Sequence, residues 1–167
     1  MRVVKRIRTG AKPTGLRVAG GAIWVGFGAG TVIGRVDPET SKIVRVPVGV
    51  QAPAVFTAGT RDLWIKAGTN VAVRLDPATR TVTAKLSFGR TLSGGALAPD
   101  GTIWVPDKEQ DVIYRVDPKP AAVMDSFAVG RGAFSALRAY GSMWVTNYAG
   151  SDVWRFNVRT GKAGTDS

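Results

Sequence analysis

Short apolar runs separated by Gly, Pro, Asn or Asp follow one another along the whole chain. In the first part of the sequence these runs lie at 16–18, 23–26, 32–36 and 42–48. Runs of this length with turn residues between them are typical of successive antiparallel strands. Gly20-Gly21 predicts a tight hairpin turn and Asp37-Pro38 a type I turn. The pattern therefore predicts an all-β fold.

The same pattern recurs several times along the chain, and each copy is marked by one tryptophan. The copies read AIWVGFGAGTVIGRVDP, DLWIKAGTNVAVRLDP, TIWVPDKEQDVIYRVDP and SMWVTNYAGSDVWRFNV, and their tryptophans are Trp24, Trp64, Trp104 and Trp144. A repeat of about 40 residues with four strands in each unit is typical of β-propeller blades. We therefore expect residues 1–167 to form a single β-propeller domain of about four blades, with repeats at 14–49, 54–89, 94–130 and 135–167, the last together with 1–10.

The residues that recur in every copy have a structural role in the blade. Burying a large aromatic side chain stabilises a fold by roughly 4–6 kcal/mol at most, so the repeated tryptophan is expected in the core. In each copy an arginine precedes the turn Asp or Asn by two residues, and strand alternation puts both side chains on one face. We expect these pairs to interact and to help specify the turn; the arginines are Arg35, Arg74, Arg115 and Arg155.

The two ends of the chain are related through the fourth strand of the blade. Residues 3–10 (VVKRIRTG) align with the fourth strands at 42–49, 82–89 and 123–130, whereas the last copy ends soon after Lys162. The N-terminal segment is therefore predicted to be the strand that closes the last blade, which would cover an otherwise exposed sheet edge. Three arrangements remain open: four blades closed within one chain, an eight-bladed ring of two chains by strand or blade exchange, and part of a longer propeller.

Composition excludes several kinds of chemistry. The chain has no cysteine and no histidine, so it has no thiolate nucleophile, no disulfide and no imidazole for base catalysis or zinc binding. The start, MRVVKRIRTG, lacks the apolar stretch of a signal peptide, and no run is long enough to span a bilayer. We expect neither a signal peptide nor a membrane-spanning segment in this chain, and the compartment is not predicted.

The net charge of +11 lies entirely within residues 1–99. A basic chain can bind nucleic acid, but these basic residues are spread over many strands, and a basic solvated surface explains them better. Nucleic-acid binding is kept as an alternative. It would show as an affinity that falls steeply with salt.

Candidate site residues are those that break the repeat in the loops expected at one end of the propeller. Converging lysines and arginines there favour an anionic ligand, for example an acidic peptide. Asp107 and Glu109 could help to hold a hard cation such as Mg²⁺ or Ca²⁺, but a charged loop tip explains them better. No catalytic residue, metal site or cofactor is predicted. The ligand-binding candidates are Lys12, Lys66, Arg90, Asp107, Lys108, Arg131, Phe134, Asn147 and Tyr148.

The phrases WVTN, WVGF, WIKA and WVPD, each with a downstream RVDP-like turn, resemble the streptogramin (virginiamycin) B lyase and YVTN families of β-propellers. The resemblance covers the whole chain and implies the propeller fold. Streptogramin lyases open a cyclic depsipeptide antibiotic by elimination, with Mg²⁺ and histidines on one face of a seven-bladed ring. This chain has no histidine and about four repeats, so no catalytic residue is carried over.

The sequence therefore predicts a non-catalytic propeller that binds a peptide, a protein or a small anionic ligand at one face. The enzymatic alternative is a Mg²⁺-dependent enzyme of the streptogramin lyase type, in which Asp107, Lys108 or Tyr148 would replace the missing histidines. A homodimer formed by strand or blade exchange is the possible partner arrangement, beside closure within one chain and membership of a longer propeller.

Overall fold

The structure is a computed structural model that describes residues 2–59, 61–162 and 164. Within these residues, fifteen β-strands form four small antiparallel sheets, which are the blades of a four-bladed β-propeller arrangement. The predicted all-β propeller fold is confirmed. No helix long and apolar enough to cross a membrane occurs in the residues that are described.

Each of the first three blades has four strands in sequential order, and the fourth has three. Blade 1 contains β1 (Pro13–Ala19), β2 (Ala22–Phe27), β3 (Val32–Val36) and β4 (Ile43–Pro47). Blade 2 contains β5 (Ala54–Ala58), β6 (Leu63–Ala67), β7 (Val71–Asp76) and β8 (Thr81–Ser87). Blade 3 contains β9 (Ala96–Leu97), β10 (Ile103–Asp107), β11 (Val112–Asp117) and β12 (Ala122–Ala128). Blade 4 contains β13 (Ala133–Ala139), β14 (Ser142–Asn147) and β15 (Asp152–Asn157).

The turns carry the residues that their geometry requires. Gly20 and Gly21 both have positive φ, at 53° and 68°, as a two-residue hairpin of type I′ needs. After β3, the Oδ1 atom of Asp37 accepts hydrogen bonds from the backbone N–H groups of Glu39 and Thr40 at 3.0 and 2.8 Å. The bond from Thr40 contributes most to lowering the pKa of this carboxyl group. Asp76, Asp117 and Asn157 accept equivalent bonds, so the repeated turn residue caps its own turn.

The predicted pairing of the repeated arginine with the turn residue is wrong for Arg74 and Arg115. Arg115 lies 2.6 Å from Asp100 and 3.7 Å from Asp125, and Arg74 lies 3.8 Å from Asp62. Residues two apart along a strand lie farther from each other than a directly opposed cross-strand pair does. Arg115 is opposite Asp125 in the ladder between β11 and β12. This cross-strand carboxylate is therefore a nearer partner than the turn residue Asp117.

The core lies between consecutive blades, where the repeated tryptophans of blades 1, 2 and 3 pack against the next sheet. Trp24, Trp64 and Trp104 are 0%, 2% and 0% exposed. The first belongs to a cluster that joins blades 1 and 2, the second to one that joins blades 2 and 3, and the third to one that joins blades 3 and 4. Among the described residues, no core cluster joins blade 4 to blade 1.

The prediction that residues 1–10 close the last blade is corrected by the structure. Residues 2–12 form no strand, and residue 1 lies outside the described part. The N-terminal segment lies beside blade 1, where Arg45 donates a hydrogen bond to the carbonyl oxygen of Thr9 at 3.1 Å. Beside β15 the described residue is Gly164 instead. There the N–H of Gly164 bonds to the carbonyl oxygen of Arg155 at 2.8 Å, in the register that Val44 has opposite Arg35.

Candidate functional site

The loops that contain the predicted site residues meet at one end of the blades, which we call the top face. They are the segment at 10–15 that leads into blade 1, the connections between blades at 49–54, 89–94 and 130–135, and the loops that follow β2, β6, β10 and β14. Backbone hydrogen bonds join the two kinds of loop: the N–H of Lys108 bonds to the carbonyl oxygen of Thr91, and that of Tyr148 to Gly132. The candidates are therefore on loops that support one another.

Asp107, at the end of β10, is fully buried between two top-face loops. Its carboxylate accepts hydrogen bonds from the backbone N–H groups of Arg90 and Thr91 in one loop and of Glu109 and Gln110 in the other. Four donors on one carboxylate leave little capacity for a ligand. In this geometry Asp107 fixes the shape of the loops that present its neighbours.

Glu109 and Arg90 lie around this buried carboxylate and are exposed. The hydroxyl of Thr91 donates a 2.5 Å hydrogen bond to Oε1 of Glu109, which holds that side chain against the loop. Within the described residues, no group of three or more Asp, Glu, His or Cys side chains is arranged to hold a metal ion. Asp107 and Glu109 together do not supply the six or more oxygen ligands that Mg²⁺ or Ca²⁺ takes.

Lys66, near the end of β6, and Lys108, in the loop after β10, lie on neighbouring blades. Burial lowers the pKa of the Lys66 ammonium below its ordinary value of 10.5, and the positive charge of Lys108 lowers it further. No carboxylate lies within 4 Å of either ammonium group in the part of the chain that the structure describes. The top face thus holds a half-buried cation that feels the charge of a second cation, and neither has a counter-ion among the described residues.

A second group of candidates lies on blade 4. Phe134, Asn147 and Tyr148 line an open groove of about 380 Å³, and the two aromatic rings are 6.4 Å apart. Nδ2 of Asn147 donates a 2.6 Å bond to Asp152, while its buried Oδ1 atom has no partner among the described residues. Phe134 and Tyr148 are 55% and 83% exposed, so they present apolar surface to solvent.

Lys12 and Arg131 are exposed in the top-face loops of blades 1 and 4. Within 2–59, 61–162 and 164, no side-chain hydrogen bond or ion pair joins either of them to the lysine pair or to the aromatic groove. The structure therefore divides the nine candidates into a basic group on blades 2 and 3, an amphipathic group on blade 4, and two separate exposed cations.

Sequence reasoning missed Arg17, on the inner strand β1. Its guanidinium group bonds to the carbonyl oxygen of Phe56 in blade 2, with Nε at 2.9 Å, and burial lowers its pKa. The positions opposite the repeated tryptophan in the other blades hold Thr57, Ala96 and Leu137. The signal in the sequence is a basic residue that breaks the repeat within a strand. The predicted site residues all come from loops or strand ends, so Arg17 was not among them.

Comparison with known proteins identifies the fold. No protein-family description matches the sequence, and no curated protein matches it. Among solved structures, a catalytically inactive virginiamycin B lyase from Staphylococcus aureus with Quinupristin is similar at a TM-score of 0.80. It shares 16% identity, and the match covers 94% of this chain and 56% of that one.

Two other similar structures come from different biological settings. A chain of the mitotic checkpoint complex matches at a TM-score of 0.79 with 13% identity, over 93% of this chain and 51% of that one. Kuenenia stuttgartiensis hydrazine synthase matches at a TM-score of 0.77 with 17% identity, over 87% of this chain and 45% of that one. The chain therefore spans about half the length of the structures that it matches. Its fold is a β-propeller that resembles the virginiamycin B lyase family.

Proposed function

We propose that this chain is a non-catalytic binding module whose top-face loops bind an anionic ligand, with an acidic peptide segment as the ligand class. Lys66 and Lys108 would contact the carboxylates, and the exposed Arg90, Lys12 and Arg131 would add attraction at longer range. The observation that carries this proposal is the half-buried Lys66 ammonium beside Lys108.

A charged group that is partly removed from water without a counter-ion is unfavourable in the free protein. A carboxylate placed between the two ammonium groups would replace the lost hydration and reduce their mutual repulsion. Hydrogen bonds between charged groups are shorter and stronger than neutral ones, so this gain is specific for anions. The buried Asp107 supports the site indirectly, because its backbone bonds fix the loops on both sides.

The similar structures are compatible with a binding role, since they include enzymes and a chain from a protein assembly. Propellers host many unrelated activities on one fold, so the assignment depends on the top-face residues of this chain. Phe134 and Tyr148 would supply apolar contacts to side chains that flank the acidic residues of a peptide.

Lys66→Met and Lys108→Met are each expected to weaken binding of a fluorescein-labelled oligoglutamate peptide by about 10- to 100-fold. A loss of affinity of this size corresponds to the roughly 1.5–3 kcal/mol that a hydrogen bond to a charged group contributes. The matched control is Lys85→Met, which removes the same charge from the exposed outer strand β8. It is expected to change the affinity by less than about threefold, because a distant exposed charge is screened by salt.

The titration also separates the competing functions. Equal losses in all three variants would contradict a site at Lys66 and Lys108 and indicate attraction by net charge alone. Tighter binding of single-stranded DNA, with an affinity that falls steeply as salt rises, would favour nucleic-acid binding. Opening of a streptogramin B depsipeptide that stops when a chelator is added would overturn the non-catalytic proposal.

A further inference from the structure

The three interfaces between blades are built in the same way. One side is the sheet face that carries the repeated tryptophan, and the other is the aliphatic face of the next blade. Trp24 packs on the face with Leu63, Ile65 and Leu75. The corresponding sets are Ile103, Val105 and Val116 for Trp64, and Met143, Val145 and Phe156 for Trp104.

Blade 4 presents the same tryptophan face, but no blade covers it. Trp144 is only partly buried, although its indole N–H bonds to Ala139 in the same way that Trp24 bonds to Ala19. Val153 is 57% exposed, whereas Ile33, Ala72 and Ile113 at the same position of the other blades are 0–1% exposed. Leu137, opposite Trp144 in the ladder, is 64% exposed. Trp144, Val153 and Arg155 line an open groove of about 800 Å³.

Blade 1 has the complementary face at the other end of the chain. Ile23, Val25 and Val36 stand at the positions that cover the tryptophan in each internal interface. Ala11 of the N-terminal segment packs against this cluster, and Arg45 lies over the ring of Phe27. Val25 and Val36 are 3% and 4% exposed, so this face is covered in the single chain, whereas residues 2–8 of the N-terminal segment are themselves exposed.

We propose that the Trp144 face of one chain docks the aliphatic face of blade 1 of a second copy, and that two such contacts close an eight-bladed ring. The occupant is a second copy because this chain itself contains the surface that covers a tryptophan face, used three times internally. Docking requires the N-terminal segment to move from blade 1, which breaks the bond between Arg45 and Thr9.

Sedimentation velocity and light scattering of the full chain test this proposal. The expected mass is about 35 kDa, twice the 17.6 kDa of one chain. Val153→Glu is expected to shift the protein to the mass of a single chain and to raise the dimer dissociation constant at least tenfold, because it places a charge in the docking face. The control Val82→Glu makes the same change at a 41% exposed valine of β8 and should leave the mass at that of the dimer.

Three results would overturn the proposal. They are a wild-type mass equal to that of one chain at all concentrations tested, open polymers larger than a dimer, or a dimer that Val153→Glu and Val82→Glu affect equally. Because Val153 is exposed in the single chain, circular dichroism is expected to show both variants folded, so that a change of mass reports docking.

Discussion

Replacing Trp104 by alanine is expected to lower the free energy of unfolding by about 3–5 kcal/mol, the range for removing a large buried aromatic side chain. Trp104 is fully buried between blades 3 and 4, stacked on Phe127 at 5.3 Å and close to Phe156 at 6.3 Å. Its removal would leave a cavity in the interface that holds these two blades together. Urea unfolding monitored by circular dichroism measures the loss.

Two matched variants identify the cause. Trp104→Phe is expected to cost much less than Trp104→Ala, because the buried indole N–H of Trp104 has no partner among the described residues and its loss leaves no acceptor unpaired. Trp144→Ala, measured on the single-chain species, is also expected to cost less, since this side chain is already partly exposed. Equal losses for Trp104→Ala and Trp144→Ala would contradict the proposed difference between internal and terminal blades.

Asp107→Ala is expected to destabilise the fold by about 2–4 kcal/mol, because it leaves several partly or fully buried backbone N–H groups of two loops without an acceptor. Asp107 is 0% exposed and bonds to the loops on both sides. The isosteric Asp107→Asn keeps one acceptor oxygen and should cost less than Asp107→Ala. Chemical denaturation of the two variants measures the difference.

Glu109→Ala is the control for Asp107, since Glu109 is an exposed acid two residues away with a single side-chain bond, to Thr91. It is expected to change the free energy of unfolding by less than about 1 kcal/mol. A small effect of Asp107→Ala, similar to that of Glu109→Ala, would mean that the carboxylate does not fix the loops. Asp107 would then be available to a ligand.

Much of the fold could be predicted because each blade repeats the same local signals. Four tryptophans at a constant spacing indicated the number of blades, and the Asp-Pro turns marked the ends of the third strands. These signals act within a single repeat, so the sequence carries them in full. The resemblance to virginiamycin B lyase was also confirmed, through the similarity of the folds.

Contacts between distant segments could not be predicted in the same way. Residues 3–10 have the pattern of a fourth strand, but a pattern specifies the kind of neighbour and not which sheet supplies it. The chain's own Gly164 takes the position beside Arg155. Asp107 looks like a loop-tip acid in sequence, and only the approach of the loop at Arg90 and Thr91 shows that it is buried. Lys66 and Lys108 belong to different blades, so the sequence alone does not indicate that their charges influence each other. The site remains a proposal.

The charge state of Lys66 is the most direct consequence of the proposed site. Because its pKa in the folded chain lies below the unfolded value, the charged form opposes folding below the folded pKa. This unfavourable contribution disappears as the pH rises through the folded pKa to the unfolded one. A bound carboxylate would stabilise the ammonium and raise the pKa again.

An NMR titration of the lysine side chains, with Lys66 assigned through Lys66→Met, tests the central claim. We expect Lys66 to lose its proton at a pH below the ordinary lysine pKa of 10.5 in the free protein. We also expect its pKa to rise when the oligoglutamate peptide is bound. A Lys66 whose pKa is not lowered in the free protein and does not respond to the peptide would contradict the proposed anion site.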